Sequence, residues 1–262
     1  TVRGYAYQSL GVKKGDAVVG GRYLFVGSIE YVRWILENWG AAAFIDTGTN
    51  HALPRHLAAL DALGVARDAV EFVIPTHVHL DHAGGAGALM QALPAATMWV
   101  HPHGKRHMID PSALYQGALA IYGAEEMQRA YGSVVPVPAE RVQITHDGMD
   151  LMLGSRRLHF IDTPGHARHH HCIWYERSRG WFTGDTFGVS YREFDVPGRG
   201  PWIAPAATPV QFDPAALRVS VQHGTLTPFG NLDGLNIIDP DGSDGSLEVQ
   251  GARAQIEAVI DD

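Results

Sequence analysis

One stretch of ten residues constrains this chain more than any other: Thr76-His77-Val78-His79-Leu80-Asp81-His82-Ala83-Gly84-Gly85. Its four metal-ligating side chains fall within six positions, directly after Val70–Ile74 and Pro75. That preceding run is apolar except at Glu71 and reads as a largely buried strand. On an extended backbone His77 and His79 share a face, because side chains alternate, and the turn that follows aims Asp81 and His82 at a neighbouring point. Imidazole and carboxylate suit zinc, iron or manganese, while a single cysteine, Cys172, removes the soft alternative and any disulfide framework. The flanking glycines and the strand-then-helix setting are what a metal loop requires, so a chance cluster on a polar loop is the weaker reading.

Two later segments repeat the pattern of an apolar run that ends in a ligand. Leu158–Ile161 leads through Asp162-Thr163-Pro164-Gly165 to His166, and Trp181-Phe182 leads through Thr183-Gly184 to Asp185. The intervening chain alternates strand and helix signals. Tyr31–Leu36 and Ala41–Ile45 flank a turn at Asn38-Trp39-Gly40. A helix is expected from Pro54 to Gly64, and two more between 104 and 132, broken at Asp110-Pro111. Strands return from Val142, so two sheets fit better than one all-parallel sheet. Residues 221 to 250, rich in Gly and Asp, read as loops around a short Ile237-Ile238 strand, and Ala252–Ile260 as a last short helix. The 262 residues, 45% of them apolar, suit one domain with an atypical segment from about 221 to 250.

The motifs resemble those of the metallo-β-lactamase superfamily, taken in order: Asp46-Thr47-Gly48, the His77-x-His79-x-Asp81-His82 run, Pro164-Gly165-His166 and Thr183-Gly184-Asp185. The resemblance covers roughly residues 20 to 215. It implies an α/β fold, a four-layer αββα sandwich with two metal ions at one edge of the sheets. Carried over, one ion takes His77, His79 and His166; the other takes Asp81 and His82, with Asp185 bridging the two. His223 is the expected last ligand, although it follows Asp185 by only 38 residues and the helix before it, at Pro214–Val219, is barely evident. Zinc β-lactamases with a thiolate ligand carry Cys at the Asp185 position, so the chain is nearer to the glyoxalase II, lactonase and phosphodiesterase branches.

The implied activity is hydrolysis of an ester, lactone, thioester or phosphodiester, with weak β-lactam cleavage beside it. Asp81 and Asp185 are the catalytic carboxylates, and two divalent ions, zinc before iron or manganese, are the cofactors. The ligand run leaves open a mononuclear iron dioxygenase of the same fold and a metal-binding scaffold with poor catalysis. The partner expected is a small-molecule substrate. A net charge of −8 argues against binding nucleic acid through its phosphates. No apolar run is long enough for a membrane span, and Thr1 to Lys14 lacks signal-peptide order, so the cytoplasm is the expected compartment. His169, His170 and His171 read as a strand-bound triplet, with one of them a weaker candidate for a supporting role. His101, His103 and His107 read as solvated loop residues, and His51, His56, His146 and His159 as structural. Arg168, Tyr191 and Arg192 are candidates to bind an anionic group.

With seven candidate ligands in two groups, purified protein is expected to hold close to two transition-metal ions per chain. Elemental analysis after gentle dialysis measures this. A value near one favours the mononuclear reading, and a value near zero overturns the site assignment.

Overall fold

Alternation along a few central strands sets up the layers. The structure, a computed structural model, describes residues 12–14, 17–19, 28–33, 40–176, 180–186, 206–208, 211–222, 235–237, 246–249 and 254–257. The first described strands form antiparallel pairs, β1 (Val12–Lys14) with β2 (Ala17–Val19) and β3 (Ser28–Arg33) with β4 (Gly40–Ile45). Strands β5 (Val70–Ile74), β6 (Thr97–Val100) and β7 (Val142–Ile144) then add in parallel to give a five-stranded sheet in the order β3-β4-β5-β6-β7. A second sheet is antiparallel, in the order β11-β10-β9-β8, from β8 (Asp150–Leu153), β9 (Arg156–Asp162), β10 (His171–Tyr175) and β11 (Gly180–Phe182).

Strand β4 shows how the two sheets stack. Ala42 and Phe44 face a core shared with α1 (Leu53–Leu63), α3 (Ala86–Ala92) and α4 (Lys105–Ile109), through Leu60, Leu89, Met90 and Met108. Ala41, Ala43 and Ile45 face the other way, onto Leu158 and Phe160 of β9 and Ile173 of β10. Each such fully buried Leu, Ile or Phe contributes roughly 1.5–3 kcal/mol. The short α2 (Leu80–Ala83) lies inside the ligand run, and α5 (Ser112–Glu126) follows α4. Helix α6 (Pro214–Gln222), longer than its sequence suggests, packs on the Pro164-Gly165 turn that follows β9. Asp213 accepts the Ala216 N–H at 3.0 Å, capping it. The fold is that of the expected αββα sandwich.

The ligand-bearing loops leave the ends of β5, β9 and β11, and the start of β10 is tied to the first of them by a His171 N–H bond to the Thr76 carbonyl at 3.0 Å. One expectation near the C-terminus changes. Residues Ala254–Glu257 form strand β14, not a helix, paired antiparallel with β13 (Ser246–Val249), which itself pairs with β12 (Leu235–Ile237). The apolar spacing of 252–260 fits either period, and the neighbouring strand takes up the backbone bonds that a helix would have made internally.

Two glycines differ in what they do. Gly64 ends α1 at φ +66° in open space, so Gly64→Ala is expected to cost about 1 kcal/mol. Gly165 has φ +135°, and a Cβ there would lie 2.3 Å from the Leu217 backbone of α6. Gly165→Ala is therefore expected to cost about 3 kcal/mol or more. Denaturant unfolding of the two variants ranks them, and equal losses would refute the close packing of α6.

Candidate metal centre

Two sets of donor atoms converge where the strand ends meet. The ligating atoms of His77, His79 and His166 all lie within 4.8 Å of one another, and so do those of His77, His82 and Asp185. His79 Nδ1 is 3.0 Å from His166 Nε2. Asp185 spans the sets, its Oδ1 3.2 Å from His82 Nε2 and its Oδ2 3.4 Å from His166 Nε2. Asp81 stands outside both. Its side chain is 61% exposed, with Oδ2 3.6 Å from His82 Nε2, so it borders the second set at the rim. His223, Tyr191 and Arg192 lie outside the described residues.

Hydrogen bonds on the far side of three imidazoles determine which nitrogen faces the centre. His82 Nδ1–H donates to Asp46 Oδ2 at 3.0 Å, and His166 Nδ1–H donates to the Ala206 carbonyl. Thr76 Oγ1 donates to Asp46 and accepts from His77 Nδ1–H at 3.2 Å. Each of the three then presents Nε2 with its lone pair free, as a metal ligand must. His77 Nε2 is the clearest sign of what belongs here: it is buried and has no hydrogen-bond partner among the described residues. A buried, unpaired nitrogen costs free energy unless something occupies the space before it. Imidazoles and a carboxylate around that nitrogen fit divalent transition-metal ions.

The electrostatics agree for His77 and His79, while His82 would give up its Nε2 proton on binding a metal. Burial, reinforced by neighbouring imidazoles, pushes His77 well below the usual histidine range and His79 down to about 4, so both are neutral and ready to ligate. Burial alone would lower His82 too, but Asp46, Asp185 and Asp81 outweigh it and raise His82 well above the usual value. Burial opposes ionisation of Asp185, yet His82 and His166 hold it below the ordinary carboxylate value.

The sequence passed over several supporting residues. Asp46 is the most important. It sits at φ +59°, just past β4, and accepts the Thr76 N–H at 2.7 Å as well as the His82 bond. Asp46-Thr47-Gly48 was visible as a motif, but its partners lie 30 and 36 residues away. Of the histidine triplet only His171 is strand-bound, since β10 begins there. His170 is fully buried, and its Nε2 accepts the Asp185 N–H at 3.2 Å, fixing that ligand's loop. His101 is buried, not solvated, with Nε2 3.0 Å from Asp162 Oδ1. His103 is exposed and His107 half-buried, both on the wall of the adjoining cavity. His56 is structural, donating to the Thr47 carbonyl at 2.8 Å. Cys172 is a buried core residue whose thiol burial pushes up to about 11.

A sandwich of two sheets between helices, with a histidine and aspartate centre at one edge, defines a metal-binding α/β protein. The chain belongs to the metallo-beta-lactamase superfamily, whose family model matches residues 34–236. It is 27% identical over 140 residues to the metallo-beta-lactamase fold-containing protein ST1585 of Sulfurisphaera tokodaii, covering 52% of each chain. It is 30% identical over 115 residues to an uncharacterized protein of Mycobacterium leprae, covering 44% of this chain and 49% of that protein. The chain thus spans about half the length of these curated relatives. The crystal structure of the archaeal ST1585 superposes with a TM-score of 0.55 and 24% identity, over 70% of this chain and 64% of that one, and shows the shared fold.

Asp46→Ala should leave the Nδ1–H of His82 without its acceptor and weaken metal affinity at one position by roughly 10–100-fold. Competition with a chelator of known affinity measures this. Unchanged affinity at both positions would show that Asp46 serves the fold alone.

Proposed function

We propose that this protein is a hydrolase with two divalent metal ions, zinc the expected pair, acting on a small ester, lactone, thioester or phosphodiester. Superfamily membership supports a metal-dependent hydrolase in general. The observation that carries the finer reading is Asp185, whose two oxygens face histidines of different donor sets. A carboxylate so placed can hold two like-charged ions together by offsetting their repulsion.

His77, His79 and His166 would hold one ion, and His82 with Asp185 the other; Asp81, and His223 from beyond the described residues, are the further ligands proposed for it. When bound, such a pair lowers the pKa of a shared water and polarises the oxygen of the bond under attack. The side chains contribute position. Asp46, Thr76 and the Ala206 carbonyl fix the imidazole planes. Asp81, whose Oδ2 lies at the rim, would accept a hydrogen bond from the attacking water and orient its lone pair. A cavity of about 710 Å³ opens beside His79, Asp81, His166 and Asp185, a size that suits a small organic substrate. No Ser or Cys nucleophile is required, and Cys172 is buried with its proton retained. β-Lactam cleavage would be weak, because an amide nitrogen leaves only when protonated and no acid is dedicated to that proton.

Asp185→Asn is expected to lower kcat/KM by about 10²-fold or more while some metal remains bound. The assay is a panel of esters, lactones, thioesters, phosphodiesters and β-lactams with protein reconstituted in zinc, manganese or iron. If every hydrolysis is blank while a thiol or persulfide drives oxygen uptake by the iron form, a dioxygenase replaces this reading.

A further inference from the structure

The cavity beside the metal centre has two unlike walls. One carries two arginines. Arg106 lies in α4 one helical turn after His103 and beside His107, and Arg168 and His169 follow His166 on the opposing loop. Both pieces are pinned to the residue between two ligands. A Cβ on Gly104 would lie 2.7 Å from Val78 Cγ1, so α4 starts in direct contact with Val78, and the Val78 N–H donates to His169 Nδ1 at 3.3 Å. Arg106 Nε donates to His107 Nε2 at 3.3 Å. Among the described residues no carboxylate forms an ion pair with Arg106 or Arg168. The two acidic residues of the cavity, Asp81 and Asp185, face His82 and His166 instead. Two arginines left open on one concave surface are unexpected in a chain of net charge −8.

The other wall is apolar. Leu114, Gly117, Ala118, Ile121 and Tyr122 form one stripe of α5 facing the cavity, and no residue of that helix is buried. Ile121 and Tyr122 remain 50% and 44% exposed, an apolar surface that a ligand would cover.

We infer that the cavity selects an amphipathic anionic substrate, with an apolar acyl or aryl arm along α5 and a carboxylate or phosphate against Arg106 and Arg168. This rests on the hydrolase reading and adds its substrate class: the scissile bond sits by the metal centre, and the two arms lie on opposite walls. The arginines supply charge-assisted hydrogen bonds to an oxyanion head, and the stripe supplies burial that grows with arm length.

The test separates binding from catalysis. Metal-stripped wild-type protein is titrated calorimetrically with octanoate, octylphosphonate, octanol and octylamine. The two anions are expected to bind at least tenfold tighter than the alcohol, with the amine weakest, and the margin should shrink on going from about 0.02 M to about 0.5 M salt. Their relative affinities distinguish a carboxylate from a phosphate head. Arg106→Gln and Arg168→Gln should each weaken anion binding by about tenfold and leave octanol unchanged. A Cβ on Gly117 meets nothing within 4 Å, so Gly117→Leu should fold normally, keep butyrate binding and lose affinity for decanoate. Equal binding of the anions and the alcohol overturns the inference, as does a double arginine variant that binds like wild type. Hydrolysis of neutral esters by the metal-loaded protein is scored separately, so either reading can fail while the other stands.

Discussion

The Asp46 carboxylate is the contact on which the metal centre depends. It lies where β4 ends beside β5, and it joins the backbone and hydroxyl of Thr76 to the imidazole of His82. The positive φ of Asp46 is a strained conformation for a residue with a side chain, and three accepted bonds hold it there. One consequence is that the two donor sets are electronically unequal. His77 leans on a neutral hydroxyl and His166 on a carbonyl, whereas His82 leans on a carboxylate and faces Asp185 as well. The first set holds three imidazoles; the second includes a carboxylate. An ion bound at the second set would therefore be held more by charge, and one at the first more by directional lone pairs.

What was legible in the sequence was local. The run from His77 to His82, the Pro164-Gly165 turn before His166 and the Gly184 turn before Asp185 each declare themselves within a few residues of an apolar strand. The helix from Leu53 to Leu63 was readable for the same reason, since its proline start and glycine stop are adjacent to its apolar spacing. Illegible features depend on distant partners. His101 looks like a loop histidine until Asp162, 61 residues on, meets it across the sheets. Asp46 has no role until its strand pairs with β5. The strand over Ala254–Glu257 was hidden because its partner, not its own period, decides its form.

Delivery of donors from both sheets requires the sheets to approach closely and in one register. Alanine at 41 and 43 keeps the inward face of β4 small beside the bulk of Phe160 and Leu158. The His171 bond to Thr76 then fixes the second sheet against the first ligand loop, and Asp213 and Ser220 hold the Pro164-Gly165 turn to α6. His166 is consequently positioned from two sides, by its strand and by a helix fifty residues later in the chain.

The loops that carry the donors form a web separate from the walls of the cavity. Thr47 N–H bonds the His82 carbonyl at 2.7 Å, Gly85 N–H the Gly48 carbonyl at 2.9 Å, and Thr163 N–H the His170 carbonyl at 3.1 Å. Each donor therefore sits within a bond or two of a sheet edge, and its position is set by the layers themselves. Helix α5 lies outside this web, with no buried residue and a break at Gly123, where the backbone leaves helical geometry. Little in the core constrains its side chains. A substitution along α5 reshapes the cavity without reaching the strands, whereas one at Asp46 or Thr76 reaches the ligands directly. The same sheets can thus keep one donor arrangement while substitutions along α5 reshape the cavity beside it.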